Sequence, residues 1–200
     1  MVIAPLNEHT LDLLSFAVQW WVQRGLRFVN LPWVVDPRYS AVTRPAFARD
    51  IETPHGVFVA SGEQSFMELW EKGALPPHSE GYVGWTPCLR DEPKLDELHY
   101  FGFMKAEVFI PLTPESRPMT ACTQLVSQQL QLFTLLCHRL GVLHPALTTE
   151  VISAEQIDIL LNDIEVGSYG VRALNDRKFL YGTALALPRF SQALARPLCA

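Results

Sequence analysis

The stretch that most restricts what this chain can become is CLRDEPKLDELHYFGFMKAEVFI, residues 88–110. Apolar and polar residues alternate on both sides of a short charged tip, PKLDEL. That alternation predicts two antiparallel strands over residues 80–92 and 99–112, with 88–92 and 99–110 directly adjacent. A chain built around such a hairpin forms a sheet, and the neighbouring patterns say what covers it.

Helices flank the hairpin. Residues 8–24, EHTLDLLSFAVQWWVQR, set Leu11, Leu14, Val18, Trp21 and Val22 on one face at helical spacing, with Thr10 as the expected cap and Gly25 as the stop. LRFVNLPWVV reads as a strand with Pro32 near its end, and the Pro- and Arg-rich PRYSAVTRPAFARD, which has no period, reads as a loop. HGVFVAS reads as a short strand and GEQSFMELWEKG as a helix ending at Gly73. Residues 120–140 form the strongest expected helix, with Leu125, Leu132, Leu136 and Leu140 on its apolar side and Gly141 as its stop. AEQIDILLNDIEVGSYGVRAL reads as a short helix or turn giving way to a strand, and KFLYGTALALPRFSQAL as strand, turn and helix start. Consecutive hairpin strands with interspersed helices define an α+β fold with a largely antiparallel sheet.

Composition limits the function classes. With 200 residues, 48% of them hydrophobic, the chain can bury a full core, so residues 1–200 are expected to form one domain. Charged residues make up 18% and the net charge is -5, which argues against sequence-independent nucleic-acid binding as the main activity. Cys88, Cys122, Cys137 and Cys199 show no C-x-x-C pair and no metal-ligand spacing, and read as free thiols in a reducing compartment. The N-terminus has neither a basic region nor an apolar core of a leader, and no run nears the roughly 18 apolar residues of a membrane span. A cytoplasmic location is the expectation.

Three stretches carry chemistry, in a fixed order. The first helix is followed by Gly25-Leu26-Arg27-Phe28-Val29-Asn30-Leu31-Pro32. The hairpin holds Arg90-x-Glu92, the variable tip, then His99, Phe103 and Glu107 at intervals of four. Near the end, Gly182-Thr183-Ala184-Leu185-Ala186-Leu187-Pro188-Arg189 joins a strand to a helix. In this order they resemble the three motifs of the class II aminoacyl-tRNA synthetase catalytic core, over about residues 8–195.

That resemblance implies a mostly antiparallel, class II synthetase-like sheet flanked by helices. It also implies ATP-dependent activation of an amino acid, or a similar small carboxylate, as its adenylate. Arg90 would grip the α-phosphate and the substrate carboxylate with its planar fork of donors. Phe103 would offer a face for the purine, Glu92 would accept from its exocyclic amine, and His99 would reach the outer phosphates. Arg189 would bind the γ-phosphate, and Glu165, in Glu165-Val166-Gly167-Ser168-Tyr169-Gly170, would hold Mg²⁺ against the phosphates. Ser61, Glu63, Glu107, Ser168 and Gly170 would bind the amino acid. The family pairs two copies through its first motif, so a homodimer through residues 8–34 is expected. The adjacent Trp20 and Trp21, which a single helix face does not hold, support it. At this length no separate anticodon-binding domain is expected, and the acceptor is open between tRNA, a carrier and a protein.

Other readings stay open at this stage. The hairpin face holding His99 and Phe103 can be packing alone, and Ser61-Gly62-Glu63 can be a helix cap. The third motif has Ala184 and Ala186 where glycines are customary and Pro188 before the arginine. Those departures keep a non-catalytic, synthetase-like binding or regulatory subunit as the alternative.

Overall fold

A computed structural model describes residues 3–4, 7–44, 47–77, 80–91, 93 and 95–196. Helix α1 is Glu8–Val22. Asn7 caps it, accepting from the Thr10 backbone N–H and hydroxyl at 2.9 Å each, so the cap stands three residues before Thr10. Gly25, at φ +97°, ends the turn that follows. The buried face is Leu13, Leu14, Ala17, Val18, Trp20 and Trp21, whereas Leu11 and Val22 are exposed. The stripe through Leu14, Val18 and Trp21 is as expected, but the sheet covers it on the Leu13–Ala17 side. Both tryptophans therefore lie inside the same core, edge to face with ring centroids 4.9 Å apart. This removes the tryptophan argument for a dimer.

Next come strands β1 (Arg27–Phe28) and β2 (Val34–Val35) and helix α2 (Pro37–Thr43). The single strand expected over LRFVNLPWVV is two short strands in different sheets, parted around Pro32, which has no N–H to donate. The segment expected to be a loop holds α2, capped by Asp36 with Pro37 in its first turn. Strands β3 (Glu52–Thr53) and β4 (Gly56–Phe58) lead to helix α3 (Gly62–Glu71). The hairpin follows as β5 (Tyr82–Leu89) and β6 (Gly102–Pro111), in antiparallel register with Gly84 opposite Glu107 and Cys88 opposite Phe103.

Helix α4 spans Pro118–Arg139 and buries Leu125, Leu132 and Leu136 as expected. Strands β7 (Leu147–Ser153), β8 (Gln156–Leu161), β9 (Ile164–Leu174) and β10 (Arg177–Leu187) and helix α5 (Arg189–Ala195) complete the described chain. Residues 156–161 are thus strand rather than helix or turn. Ile157, Ile159 and Leu161 alternate into the core, and the tight turn to β9 is Asn162-Asp163, both at positive φ.

The main sheet has seven strands in the order β1-β5-β6-β10-β9-β8-β7, antiparallel except where β1 meets β5. One face carries α1, α4 and α5 over a core that includes Trp21, Phe133 and Tyr169. The other carries α3 and the small sheet β2-β4-β3 over a second core, where Phe109 stacks between Phe66 and Phe179. Gln129 of α4, fully buried, accepts from the Trp21 indole at 3.2 Å and donates to the Ala184 carbonyl at 2.9 Å, where β10 bulges. The second face is only partly roofed, and the bare part is the cleft.

Candidate active site

The mouth of the cleft is built by the β5–β6 connection and the start of α5. Arg90 follows β5 directly, donates from Nε to the Ala60 carbonyl at 3.1 Å, and lies 5.0 Å from the Phe103 ring centroid. His99 sits in the connection rather than on β6. Its Nδ1 is 2.7 Å from Asp96 Oδ1, which also accepts from the Leu98 and His99 backbone N–H groups. Arg189, the first residue of α5, reaches Glu165 Oε2 at 2.5 Å and the Leu98 carbonyl at 3.3–3.4 Å. Gln192 and Arg196 hold Tyr100 and Glu97 of the same connection at 2.9 and 2.5 Å. Helix α5 thereby clasps the connection across the mouth.

Arg90, His99, Phe103, Glu165, Ser168 and Arg189 line one cleft of about 390 Å³, within the usual range for ligand pockets. Glu92 lies outside the described residues. The cleft wall also includes Ala186 and Pro188, two of the third-motif departures.

The inner end is set by one row across the sheet. Asp158 pairs with Ser168, Ser168 N–H approaches Thr183 Oγ at 3.5 Å, and Thr183 pairs with Glu107, which faces Gly84. A Cβ on Gly84 would stand 2.7 Å from the Val29 carbonyl, so only glycine admits the β1–β2 segment here. Glu107 is 3% exposed and fully engaged. It takes Lys105 Nζ at 2.6 Å, the Ser61 hydroxyl at 2.6 Å and the Glu63 backbone N–H at 3.1 Å. Burial alone would push its carboxyl up, but Lys105, Ser61 and nearby Arg90 outweigh it and hold the carboxyl below its ordinary range.

Glu63 is also buried and bonded to Arg172, with its Oε1 lacking a hydrogen-bond partner. Burial raises its carboxyl despite that arginine. Gly170 stands beside Tyr181, where a Cβ would be 2.7 Å from the phenol oxygen. Of the five expected amino-acid-binding residues, then, Ser168 lines the cleft. Ser61, Glu63 and Glu107 form a buried cluster beneath it, and Gly170 is one residue pair further along the sheet. Burial also raises the Cys88 thiol to about 11, with Glu107 adding to it, so it stays protonated and unreactive.

Sequence reasoning missed Lys105, Gln156, Asp158 and Thr183, all of which line the cleft. Lys105 lies midway between Phe103 and Glu107, and strand period two puts it on their face. Asp158 belongs to the segment read as helix or turn, which hid its alternation with Ile157 and Ile159.

This fold is that of the class II aminoacyl-tRNA synthetase catalytic core: a mostly antiparallel sheet flanked by helices, with the Arg90 hairpin next to its β1 edge. Among solved structures, the chain superposes on seryl-tRNA synthetase from Pyrococcus horikoshii complexed with ATP, with TM-score 0.67 and 18% identity over 94% of its own length and 51% of that chain. Pyrrolysyl-tRNA synthetase from Desulfitobacterium hafniense gives TM-score 0.67 at 15% identity, covering 94% of this chain and 74% of that one. Serine-tRNA ligase from Naegleria fowleri in complex with AMP gives 0.64 at 12%, covering 94% and 54%. The chain thus spans about half the length of the seryl enzymes it matches. No protein-family model and no curated protein sequence matches it.

Proposed function

We propose that this protein binds ATP in the cleft and activates an amino acid, or a similar small carboxylate, as its adenylate. One observation carries the reading: Arg90, His99, Phe103, Glu165 and Arg189 arrive from three separate stretches and line a single cleft on a synthetase-type sheet. The substrate carboxylate attacks the α-phosphorus in line and pyrophosphate leaves, so no protein nucleophile is required. Arg90 bridges the carboxylate and the α-phosphate, where negative charge accumulates. Phe103 stacks against the purine. His99, oriented by Asp96, turns its other ring nitrogen toward the outer phosphates. Arg189 binds the γ-phosphate.

Glu165 is the residue to hold Mg²⁺. Among the described residues no group of three or more His, Cys, Asp or Glu is placed around a metal. One hard carboxylate fits an ion that takes its other ligands from phosphate and water. When bound, that ion neutralises phosphate charge. Glu165 meets Arg189 directly, so ATP is expected to part the pair, giving the arginine to phosphate and the carboxylate to the ion.

The acceptor of the acyl group is a tRNA, a carrier or a protein. Pairing of two copies through residues 8–34 fits the exposed Leu11, Val22, Phe28 and Trp33. No helix among the described residues is long and apolar enough to cross a membrane.

The test is ATP–pyrophosphate exchange against a panel of amino acids. Exchange stimulated by one of them supports the reading and names the substrate. A non-catalytic, synthetase-like regulatory subunit is the second reading, because Ala186 and Pro188 place side-chain atoms in the cleft wall where the family has backbone alone or an acid. ATP binding without exchange for any amino acid would favour it.

A further inference from the structure

The acids at and beneath the cleft are almost all compensated. Glu165 pairs with Arg189, Glu107 with Lys105, Glu63 with Arg172 and Asp96 with His99. Asp158 is different. It is half-buried on the cleft wall, its Oδ1 accepts from Gln156 Nε2 at 3.1 Å, and among the described residues no cation pairs with it. A half-buried carboxylate without a counter-charge is a site for a ligand cation.

Its position says which cation. Asp158 lies on β8 in the row that runs through Glu107 to Gly84, and Arg90 stands beyond the end of β5 with its guanidinium near enough to act on Glu107; the strand order β5-β6-β10-β9-β8 puts four spacings between β5 and β8. At roughly 4.8 Å each, that is about 19 Å between the strands. The Asp158 side chain is short, and the Arg90 side chain is tied to the Ala60 carbonyl and the Phe103 face. An α-ammonium, attached to the carbon next to the carboxylate, does not cover the remaining distance. Arg90 and Asp158 line the same cleft, so an amine at the far end of an extended side chain is the cation that suits Asp158. Ser168 supplies a hydroxyl beside Asp158.

We infer that Asp158 receives the terminal amine of a basic, lysine-like amino acid, so that the substrate class of the cleft is an amino acid with a cationic side chain. This rests on the adenylation reading for the placement of the carboxylate at Arg90.

Calorimetric binding and pyrophosphate exchange together test it, using lysine, ornithine, norleucine (no terminal amine) and 6-aminohexanoate (no α-amine). Lysine or ornithine is expected to bind, 6-aminohexanoate to retain measurable binding, and norleucine to bind roughly 10- to 100-fold more weakly or not at all. Asp158→Asn should weaken lysine by the same factor and leave ATP affinity and the thermal midpoint unchanged, with Asp158→Glu partly restoring it. Binding of lysine that depends on Asp158, without exchange for any amino acid, would uphold the inference and sink the adenylation reading. Exchange supported by a neutral amino acid and unaffected by Asp158→Asn would do the reverse. Exchange with a neutral amino acid that is lost in Asp158→Asn would make Asp158 the α-ammonium receiver and overturn the basic substrate class. Failure of every basic amino acid to bind, with or without ATP, overturns it outright.

Discussion

Arg90 is oriented before any ligand arrives. Its Nε is spent on the Ala60 carbonyl and its guanidinium lies 5.0 Å from the Phe103 ring centroid, so the side chain has little freedom left to lose. If adenylation runs in the cleft, Arg90→Ala should lower pyrophosphate exchange by roughly 10²–10³, about 3–4 kcal/mol. Arg90→Lys should recover part of that, because a point charge makes no two parallel bonds. Equal exchange by wild type and Arg90→Ala would remove Arg90 from the mechanism. Glu107 works in a different way: it is a buried strut, and its pKa is depressed in the fold. A depressed carboxyl contributes stability that is complete above its unfolded value, about 4.3, and is lost as pH falls through its folded value. Urea denaturation of wild type and Glu107→Gln should therefore show a gap that is constant from about pH 7 to 5 and closes in more acid solution. A gap that widens on acidification would mean that Lys105 and Ser61 do not hold the carboxylate as described.

At the scale of elements, the two faces of the sheet do different work. Helices α1 and α4 and strand β10 are joined by the fully buried Gln129, whose carbonyl takes the Trp21 indole and whose amide donates to Ala184. Gln129→Leu keeps the volume but strands the Trp21 indole N–H and the Ala184 carbonyl. The expected loss is about 2–4 kcal/mol in chemical denaturation, and a neutral result would show that the Ala184 bulge relaxes to find another donor. On the opposite face, α3 is anchored where Ser61 and the Glu63 backbone meet Glu107, so the same contacts that seat the helix floor the cleft. The clasp of α5 on the β5–β6 connection brings Arg189 toward His99 although they are far apart in the chain.

For the whole molecule, the open question with the widest consequence is pairing. Trp20 and Trp21 are interior, so an interface through residues 8–34 must use Leu11, Val22, Phe28 and Trp33, each more than two-fifths exposed. Exposed apolar side chains are the usual material of an interface core. Light scattering at micromolar concentration should give a dimer mass, and Phe28→Glu with Trp33→Glu should yield a monomer that keeps its secondary structure. A wild-type monomer in the same measurement would reject the interface.

The sequence by itself determined what near neighbours decide. The Arg90 hairpin, the long α4, the stop at Gly25 and the fold class follow from alternation, helical period and the conformational freedom of glycine, all of which act over a few residues. Local signals that were present but read in another way account for α2 and for the β8–β9 hairpin, where Asp36-Pro37 and Asn162-Asp163 carry the turn chemistry. Tertiary structure alone decided which polar residues line the cleft and which lie bonded beneath it. Glu107 and Glu63 have the residue type of a substrate ligand, yet Lys105 and Ser61 occupy one and Arg172 the other. Asp158 lies in no motif, yet it stands on the cleft wall with no cation paired to it among the described residues. The reason is that a carboxylate's role depends on the charge and burial around it, and those come from strands and helices distant in sequence that meet only when the sheet closes.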